Sequence, residues 1–182
     1  GYSMRQAFIR TPVQFTRISS HFNLRRRHPI LNKVRAHLGV DYAAPTGTPV
    51  KATGNAKIKF IGKKSGYGNV IILDHGRGYT TLYAHLSRFR AGIKKGSAVK
   101  QGEIIAFVGK TGLATAPHLH YEFRINGVHH NPLTVELPKN NSIPKHKKAE
   151  FTKHACKMLK LLSSPHLYPA LNLEQLEQIE IL

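Results

Sequence analysis

The 182-residue sequence has few of the features that define disulfide-rich or membrane proteins. It contains a single cysteine, Cys156, which excludes an intrachain disulfide framework and argues against a cysteine-ligated metal site. No apolar run approaches the roughly 18 residues that a membrane-spanning helix requires, and residues 1–10 lack the apolar segment of a secretory signal. These absences favour one globular domain with additional segments, and they leave the redox compartment undefined.

Acidic residues are also scarce, since nine Asp and Glu residues face 28 Lys and Arg residues. Three of the nine, Glu174, Glu177 and Glu180, lie in the last eleven residues, so the rest of the chain is still more basic. Such a surface concentrates near a polyanion, which can be nucleic acid, anionic lipid or the acidic polymers of a bacterial wall. The charge does not choose among these partners, and a solvated basic face explains it as well. No motif predicts a specific nucleic-acid partner.

The central part of the chain has the pattern of a β-sheet protein. Segments rich in β-branched or aromatic residues recur between glycines, at residues 49–53, 56–61, 69–74, 79–85, 104–108 and 118–125. Upstream, residues 15–18 alternate in the manner of a half-buried strand. The pattern predicts a mainly β fold, an antiparallel sandwich or barrel-like sheet.

The composition changes after Pro138. Residues 139–148 are predicted to form a basic linker, and apolar residues then recur at helical spacing, at Phe151, Ala155, Met158, Leu159 and Leu162. A second short helix is predicted from Leu173 onward, with Asn172 as its N-cap. Both helices are expected to pack on the sheet or on a partner, without a chemical role.

Two groups of side chains that can bind a metal lie far apart in the sequence. His37 and Asp41 are four residues apart around Gly39, and His118 and His120 follow about eighty residues later. Imidazole and carboxylate are ligand types for a borderline cation such as zinc. Residues two or four apart in an extended segment share a face, so each pair can point into one groove. Two such pairs offer more ligands than one zinc ion needs, and the pattern predicts a metallohydrolase without choosing the ligands.

Other histidines and one glutamate are further candidates for the same site. His85 is predicted to end a strand where a glycine-rich loop begins. Glu122 is expected to bond the backbone or Arg124, with a role as partner of a ligating histidine left open. No His-Glu-x-x-His sequence occurs, so a glutamate base is unsupported. Three further histidines are predicted to be solvated on turns, His75, His129 and His130. His21 and His28, in the arginine-rich loop, are predicted to be able to touch substrate.

Four segments together resemble the lysostaphin-type M23 peptidases, also called LytM domains. They are His37-Leu-Gly-Val-Asp41 with the residues up to Val50, Gly66-Tyr-Gly-Asn69, Tyr83-Ala-His85-Leu86, and Gly112 through His118-Leu-His120-Tyr-Glu-Phe123. The resemblance runs from about residue 16 to residue 137, in the family's order and spacing. The lead-in Phe8-Ile-Arg-Thr-Pro12 with Arg17-Ile-Ser-Ser20, and the exit Asn131-Pro-Leu-Thr134, further resemble the Gram-negative cell-wall DD-endopeptidases of this family.

The resemblance implies a role for five residues. It makes His37, Asp41 and His120 the ligands of Zn²⁺, and it assigns His85 and His118 to catalysis beside the metal-bound water. Zinc can lower the pKa of that water to about 7 and polarise the scissile carbonyl. One histidine would accept the proton of the water, and the other would steady the oxyanion or protonate the leaving amine. Which histidine does which is left open.

The resemblance also implies a substrate and a location. DD-endopeptidases cut the D-alanine to diaminopimelate cross-link between peptidoglycan stem peptides, whereas lysostaphin cuts pentaglycine bridges. Enzymes for glycine bridges tend to carry a tyrosine shortly before the first zinc histidine, and this chain has Leu31-Asn32-Lys33 there. Stem peptides in the periplasm or cell envelope are therefore the expected substrate. Regulatory N-terminal domains that are absent from this chain are a further expectation.

These inferences divide the chain into three predicted parts. Residues 1–30 are an extended lead-in with a basic loop, residues 31–137 the M23-like peptidase core, and residues 138–182 a basic linker with a C-terminal helical extension. The alternative hypothesis is a non-catalytic LytM-like module that binds peptidoglycan or activates another wall hydrolase. Such modules typically lack one or more metal-site residues, whereas all five are present here.

Overall fold

The computed structural model describes residues 7–25, 36–137 and 145–162. Within these ranges the chain forms ten strands and one helix. In chain order they are β1 (Arg17–Ser20), β2 (Val40–Ala43), β3 (Pro49–Lys51), β4 (Ala56–Lys64), β5 (Gly68–Gly76), β6 (Tyr79–Phe89), β7 (Ala98–Val99), β8 (Ile104–Val108), β9 (His118–Ile125), β10 (Val128–His130) and α1 (Lys145–Leu162). The predicted boundary at residues 30 and 31, and the predicted helix from Leu173, lie outside the described residues.

The strands form one antiparallel sheet, as predicted. Its main path is β1-β2-β9-β6-β5-β4-β7, with β10 paired to β9, and β8 paired to both β3 and β6. Among the described strands the path ends at β1 and at β7, so the sheet is not closed. The predicted strands at 56–61 and 79–85 are longer in the structure, because β4 continues through Gly62 and β6 through His85.

The alternation of side chains on β2 and β9 separates the core from the site. Tyr42, Leu119 and Tyr121 are almost fully buried in the main hydrophobic cluster. Each fully buried side chain of this size contributes on the order of 1.5–3 kcal/mol to folding. Since neighbouring residues of a strand face opposite sides, Asp41 and His120 lie on the other face. Their Cα atoms are directly paired across β2 and β9.

Strand β6 changes its partner at His85, where a strand end was predicted. Its pairing with β9 ends at Ala84, and its pairing with β8 starts at Leu86. His85 lies between the two with a φ of 58°, a left-handed conformation that is rare for residues other than glycine. The prediction of a strand end was therefore wrong, because the chain continues as a strand on a different neighbour.

His75 is half-buried in a strand and makes specific contacts there, and the prediction that it is solvated on a turn was wrong. It lies in β5, where Nε2 is 2.8 Å from Thr81 Oγ1 and Nδ1 is 3.0 Å from the Asn55 carbonyl oxygen. Its ring meets the Phe8 ring edge-on at a centroid distance of 4.7 Å. Burial, only partly offset by the Asn55 hydrogen bond, lowers the pKa of His75 to about 4.

This pKa predicts a loss of stability in mild acid. The folded state binds fewer protons at His75 than the unfolded state does, so stability falls as the pH drops from about 6.5 toward 4. We expect a loss of about 2 kcal/mol between pH 7 and pH 5 from this group. Urea unfolding of the metal-free protein and of His75→Gln at both pH values measures it. An equal loss in both proteins would contradict the assignment.

The helix α1 begins at Lys145, so the prediction of a linker as far as residue 148 was wrong for its last four residues. Lysine is a good helix former, and the lysines of this segment extend the helix that the apolar spacing predicted. Phe151, Met158 and Leu159 are exposed on it. No helix in the described parts of the chain is long and apolar enough to cross a membrane.

Candidate metal centre

Three side-chain atoms converge on one point beside β2 and β9. His37 Nε2 is 3.1 Å from Asp41 Oδ1, His120 Nδ1 is 2.7 Å from the same oxygen, and the two nitrogens are 3.2 Å apart. In the described ranges these are the only three residues among His, Cys, Asp and Glu whose ligand atoms all lie within 4.8 Å of one another. The structure thus brings together the three residues predicted to be metal ligands, from segments 83 residues apart.

The hydrogen bonds of the two imidazoles aim their lone pairs at this point. His37 Nδ1 is 2.8 Å from the main-chain oxygen of His21, which can only accept, so Nδ1 carries the proton and Nε2 the lone pair. His120 Nε2 is 3.0 Å from Glu122 Oε1, which in the same way leaves Nδ1 as the acceptor nitrogen. Two lone pairs and a carboxylate oxygen then face one another, and a cation relieves their repulsion.

The electrostatics of the site favour one positive charge beside Asp41, which a proton supplies when no metal ion is bound. Burial would raise the pKa of Asp41, but the neighbouring imidazoles of His120 and His37 hold it well below its usual range. Burial would lower the pKa of His120, but Asp41 and Glu122 raise it to about 9, so a metal ion bound through Nδ1 takes the place of the proton that this nitrogen otherwise presents to Asp41. Two imidazoles and one carboxylate are a donor set that zinc accepts, and three protein ligands leave one position open. The residues therefore fit a catalytic metal ion.

The two histidines predicted to be catalytic lie beside the three ligand atoms. The rings of His85 and His118 are 4.6 Å apart, and the His118 Nε2 atom is 3.8 Å from Asp41 Oδ1. His118 Nδ1 is 2.8 Å from the Ala116 oxygen, and His85 Nδ1 is 2.8 Å from the Thr111 oxygen. Each Nδ1 therefore donates to the main chain, and each Nε2 is the basic nitrogen of the neutral ring. Burial lowers the pKa of His85.

Thr111 positions His85, and the sequence analysis did not identify it. Besides accepting from His85 Nδ1 through its carbonyl, it donates through Oγ1 to the Leu86 oxygen at 2.8 Å. The same Oγ1 accepts from the Asn69 amide at 3.0 Å. Its position directly before the segment that starts at Gly112 was the available signal in the sequence.

The glycines of these two motifs allow their loops to meet. A Cβ atom on Gly112 would lie 2.4 Å from the Gly68 amide nitrogen, and one on Gly68 would lie 2.4 Å from Thr111. Both glycines also have positive φ values, of 77° and 67°. The two loops can therefore pack main chain to main chain only because neither position has a side chain.

Glu122 holds His120 as well as Arg124. Its side chain is fully buried, its Oε2 accepts from Arg124 and, at 3.1 Å, from His129 Nε2, and its Oε1 accepts from His120. Burial would raise its pKa, but the His120 and Arg124 interactions lower it to about 2. The predicted contact with Arg124 is present. Glu122 also contacts His120, which is the alternative that the sequence leaves open. The prediction that His129 is solvated on a turn was wrong, because β10 pairs with β9 and carries it to Glu122.

Gly39 leaves room for His120. A Cβ atom at this position would lie 2.5 Å from the Tyr121 carbonyl oxygen and 2.8 Å from His120 Cε1. Those distances are far inside van der Waals contact, and the carbonyl belongs to a paired strand that cannot retreat. The glycine in His37-Leu-Gly39-Val-Asp41 is therefore required by the packing of the second ligand segment against the first.

Gly39→Ala is expected to weaken zinc binding by about 5–150-fold, because overpacking of about 1–3 kcal/mol would fall on the His120 ring. Gly54→Ala is the matched control, since its Cβ would crowd the Ala7 oxygen at 2.9 Å, away from the metal centre. Competition with a chromophoric chelator measures both affinities. Equal zinc affinity in Gly39→Ala and the unmutated protein would contradict this account of the close approach.

The site lies in a groove with a volume of about 460 Å³. The four histidines and Asp41 line this groove together with residues from both sides of the site. These further residues include Leu38, Ser65, Tyr67, Leu113 and Thr115. Leu113 is 73% exposed, so an apolar side chain stands at the rim. A volume of this size is typical of ligand-binding clefts.

A groove in which three ligand atoms converge is the arrangement typical of a metallohydrolase site. Comparison with protein families is more specific. Residues 35–132 match peptidase family M23, and the chain belongs to that family. The resemblance found in the sequence motifs is thereby confirmed.

Individual relatives are similar over most of this chain. Peptidoglycan DD-endopeptidase ShyC of Vibrio cholerae serotype O1 is 44% identical over 155 residues, 85% of this chain and 35% of ShyC. DD-carboxypeptidase/endopeptidase Mpg of Neisseria meningitidis serogroup B is 54% identical over 127 residues, 70% of this chain and 29% of Mpg. The crystal structure of a zinc containing peptidase from Vibrio cholerae superposes with a TM-score of 0.69 at 38% identity, covering 73% of this chain and 41% of that chain. This chain thus spans about a third of the length of ShyC and Mpg.

Proposed function

We propose that this chain is a zinc-dependent endopeptidase that hydrolyses peptide cross-links of bacterial peptidoglycan in the periplasm or cell envelope. The observation that carries the proposal is the convergence of His37, Asp41 and His120 beside two further histidines in an open groove. Membership of peptidase family M23 supports the reaction, and the names of ShyC and Mpg support the substrate. The peptidase core is proposed to be residues 31–137, which include the matched range.

The three convergent residues are proposed to hold the metal ion. His37 would bind through Nε2, His120 through Nδ1 and Asp41 through Oδ1, which are the atoms that face one another. When bound there, zinc supplies Lewis acidity that polarises a carbonyl and makes water more acidic. The His21 carbonyl and Glu122 fix the orientation of the two imidazoles and increase their basicity.

His85 and His118 are proposed to move the protons of the reaction. The lowered pKa of His85 keeps its ring neutral near pH 7, so its Nε2 can accept a proton. His118 presents its own Nε2 next to the Asp41 oxygen. One of the two takes the proton of the attacking water, and the other donates a hydrogen bond to the developing oxyanion or a proton to the leaving amine.

The expected bond is the D-alanine to diaminopimelate cross-link between stem peptides. Stem peptides carry free carboxylates, and a chain with a formal net charge of +19 attracts them and the anionic wall around them. Leu31-Asn32-Lys33 before the first ligand lacks the tyrosine expected for glycine bridges. The hypothesis of a non-catalytic module is not favoured, because all five site residues are present and lie together.

Mass spectrometry of purified cross-linked muropeptide dimers tests the proposal. The dimers are incubated with three samples of the protein. The first is the protein as purified, the second is protein treated with a chelator, and the third is treated protein to which zinc has been restored. We expect monomers in the first and third samples, with masses that identify the D-alanine to diaminopimelate bond as the one cut. Pentaglycine-bridged dimers are offered in a parallel reaction. If both kinds of dimer stay intact although zinc is bound to the protein, the proposed activity of this chain is contradicted.

A further inference from the structure

Tyr67 connects the groove to the carboxylate that holds a metal ligand. It lies in the short loop between β4 and β5 and lines the groove. Its hydroxyl donates to Glu122 Oε1 at 2.7 Å, and the same oxygen accepts from His120 Nε2 at 3.0 Å. The Tyr67 ring lies next to the His120 ring, with 5.7 Å between centroids.

The other partners of Glu122 lie on the far side of its carboxylate. Oε2 accepts from Arg124 Nε at 3.0 Å and from His129 Nε2 at 3.1 Å. The Glu122 side chain is fully buried, so water cannot easily reach Oε1. Loss of one of its hydrogen-bond partners would therefore cost free energy. Tyr67 and His120 are thus the two partners that the hydrogen bonds described above give to Oε1.

Tyr67 also contacts the other half of the site through its main chain. Its carbonyl oxygen accepts from the His85 amide at 2.9 Å, at the residue where β6 changes its partner. This bond supports the left-handed backbone conformation of His85, with its φ of 58°. One loop residue thus touches the supports of both a proposed ligand and a proposed catalytic histidine.

We propose that Tyr67 is a positioning residue that strengthens metal binding by acting through Glu122 on His120. The inference rests on the proposed function in that it takes zinc to be the ion at this centre. Hydrogen-bond partners of a ligating histidine typically change metal affinity by about 10–100-fold. A hydroxyl one bond further away is expected to lie at the low end of that range.

Tyr67→Phe, Glu122→Ala and the double variant test the proposal in a thermodynamic cycle. Phenylalanine keeps the ring and the main-chain carbonyl and removes only the hydroxyl, whereas alanine removes the oxygen that Tyr67 and His120 share. We expect the zinc Kd to rise about tenfold in Tyr67→Phe and about 10–100-fold in Glu122→Ala. The double variant should bind zinc no more weakly than Glu122→Ala alone, because the hydroxyl has lost the group through which it acts. Competition with a chromophoric chelator gives each Kd without any substrate.

Tyr121→Phe is the matched control. It also removes a hydroxyl that donates a hydrogen bond, here to Thr53 Oγ1 at 3.2 Å, but this hydroxyl lies in the core on the opposite face of β9. Its zinc Kd should equal that of the unmutated protein. Thermal unfolding of the metal-free proteins separates a loss of fold from a loss of metal affinity. Tyr67→Phe should have the same Tm as the unmutated protein and still show the higher zinc Kd.

Two results would overturn the inference. An unchanged zinc Kd in Tyr67→Phe would show that the hydroxyl does not position His120. Losses that add in the double variant would show that Tyr67 acts independently of Glu122, for instance on substrate. Failure of the proposed function is distinguishable, because in that case the unmutated protein would itself bind no zinc at the three ligand residues.

Discussion

Asp41→Ala is expected to abolish zinc binding and peptide hydrolysis together. Asp41 Oδ1 contacts both ligand nitrogens, at 3.1 and 2.7 Å, and supplies the negative charge among the three donor atoms. Without it two neutral imidazoles remain, and they bind zinc far more weakly. Loss of one member of an interdependent catalytic unit costs on the order of 10⁴–10⁶ in kcat. Zinc content by atomic absorption and cleavage of muropeptide dimers measure the two effects in the same samples.

His37→Ala and His120→Ala should give the same paired loss, since each removes one corner of the same triangle of atoms. His130→Ala is the control, because this histidine lies in β10 and does not line the groove. It should retain one zinc ion per chain and full activity. An Asp41→Ala protein that keeps both zinc and turnover would show that the ion is held elsewhere.

Replacement of His118 or His85 by alanine is expected to separate metal binding from turnover. Neither residue belongs to the triangle of ligand atoms, so each variant should keep zinc. Each loses the Nε2 that is proposed to carry a proton, and general acid–base catalysis typically contributes about 10²–10⁴-fold. We therefore expect kcat to fall by that factor at nearly unchanged zinc content. Steady-state kinetics at saturating zinc give the value.

The opposite pattern would reverse the assignment of roles. Full loss of zinc in His85→Ala would make His85 a ligand rather than a proton carrier. The Thr111 carbonyl and the Tyr67 carbonyl fix His85 away from the ligand triangle, so the structure leads us to expect retained zinc.

The period of two along a strand was enough to predict that His118 and His120 share a face. The structure shows in addition that Leu119 and Tyr121, on the opposite face, are buried. The pairing of Asp41 with His120 could not be derived in this way, since it depends on the register between β2 and β9, which are 75 residues or more apart. The resemblance to a known family supplied that information, because it contains the positions of the motifs relative to one another.

The contacts that the sequence did not reveal are long-range contacts, some with the main chain and some between side chains. Thr111 holds His85 through a carbonyl, and no side-chain pattern reveals which carbonyl accepts from a distant histidine. His129 was predicted to be solvated because its neighbours are turn-forming residues, yet the hairpin from β9 to β10 carries it to Glu122. His85 was placed at a strand end because a change of strand partner leaves no mark in hydrophobic periodicity.

The most direct test of the zinc-dependent peptidase is a titration of zinc into the metal-free protein, with bound zinc and the rate of dimer cleavage measured in the same samples. The account predicts that the rate rises in proportion to bound zinc and stops rising at one ion per chain. It also predicts that His120→Ala shows no rise over the same range. Full cleavage of dimers by protein that contains no metal would contradict it.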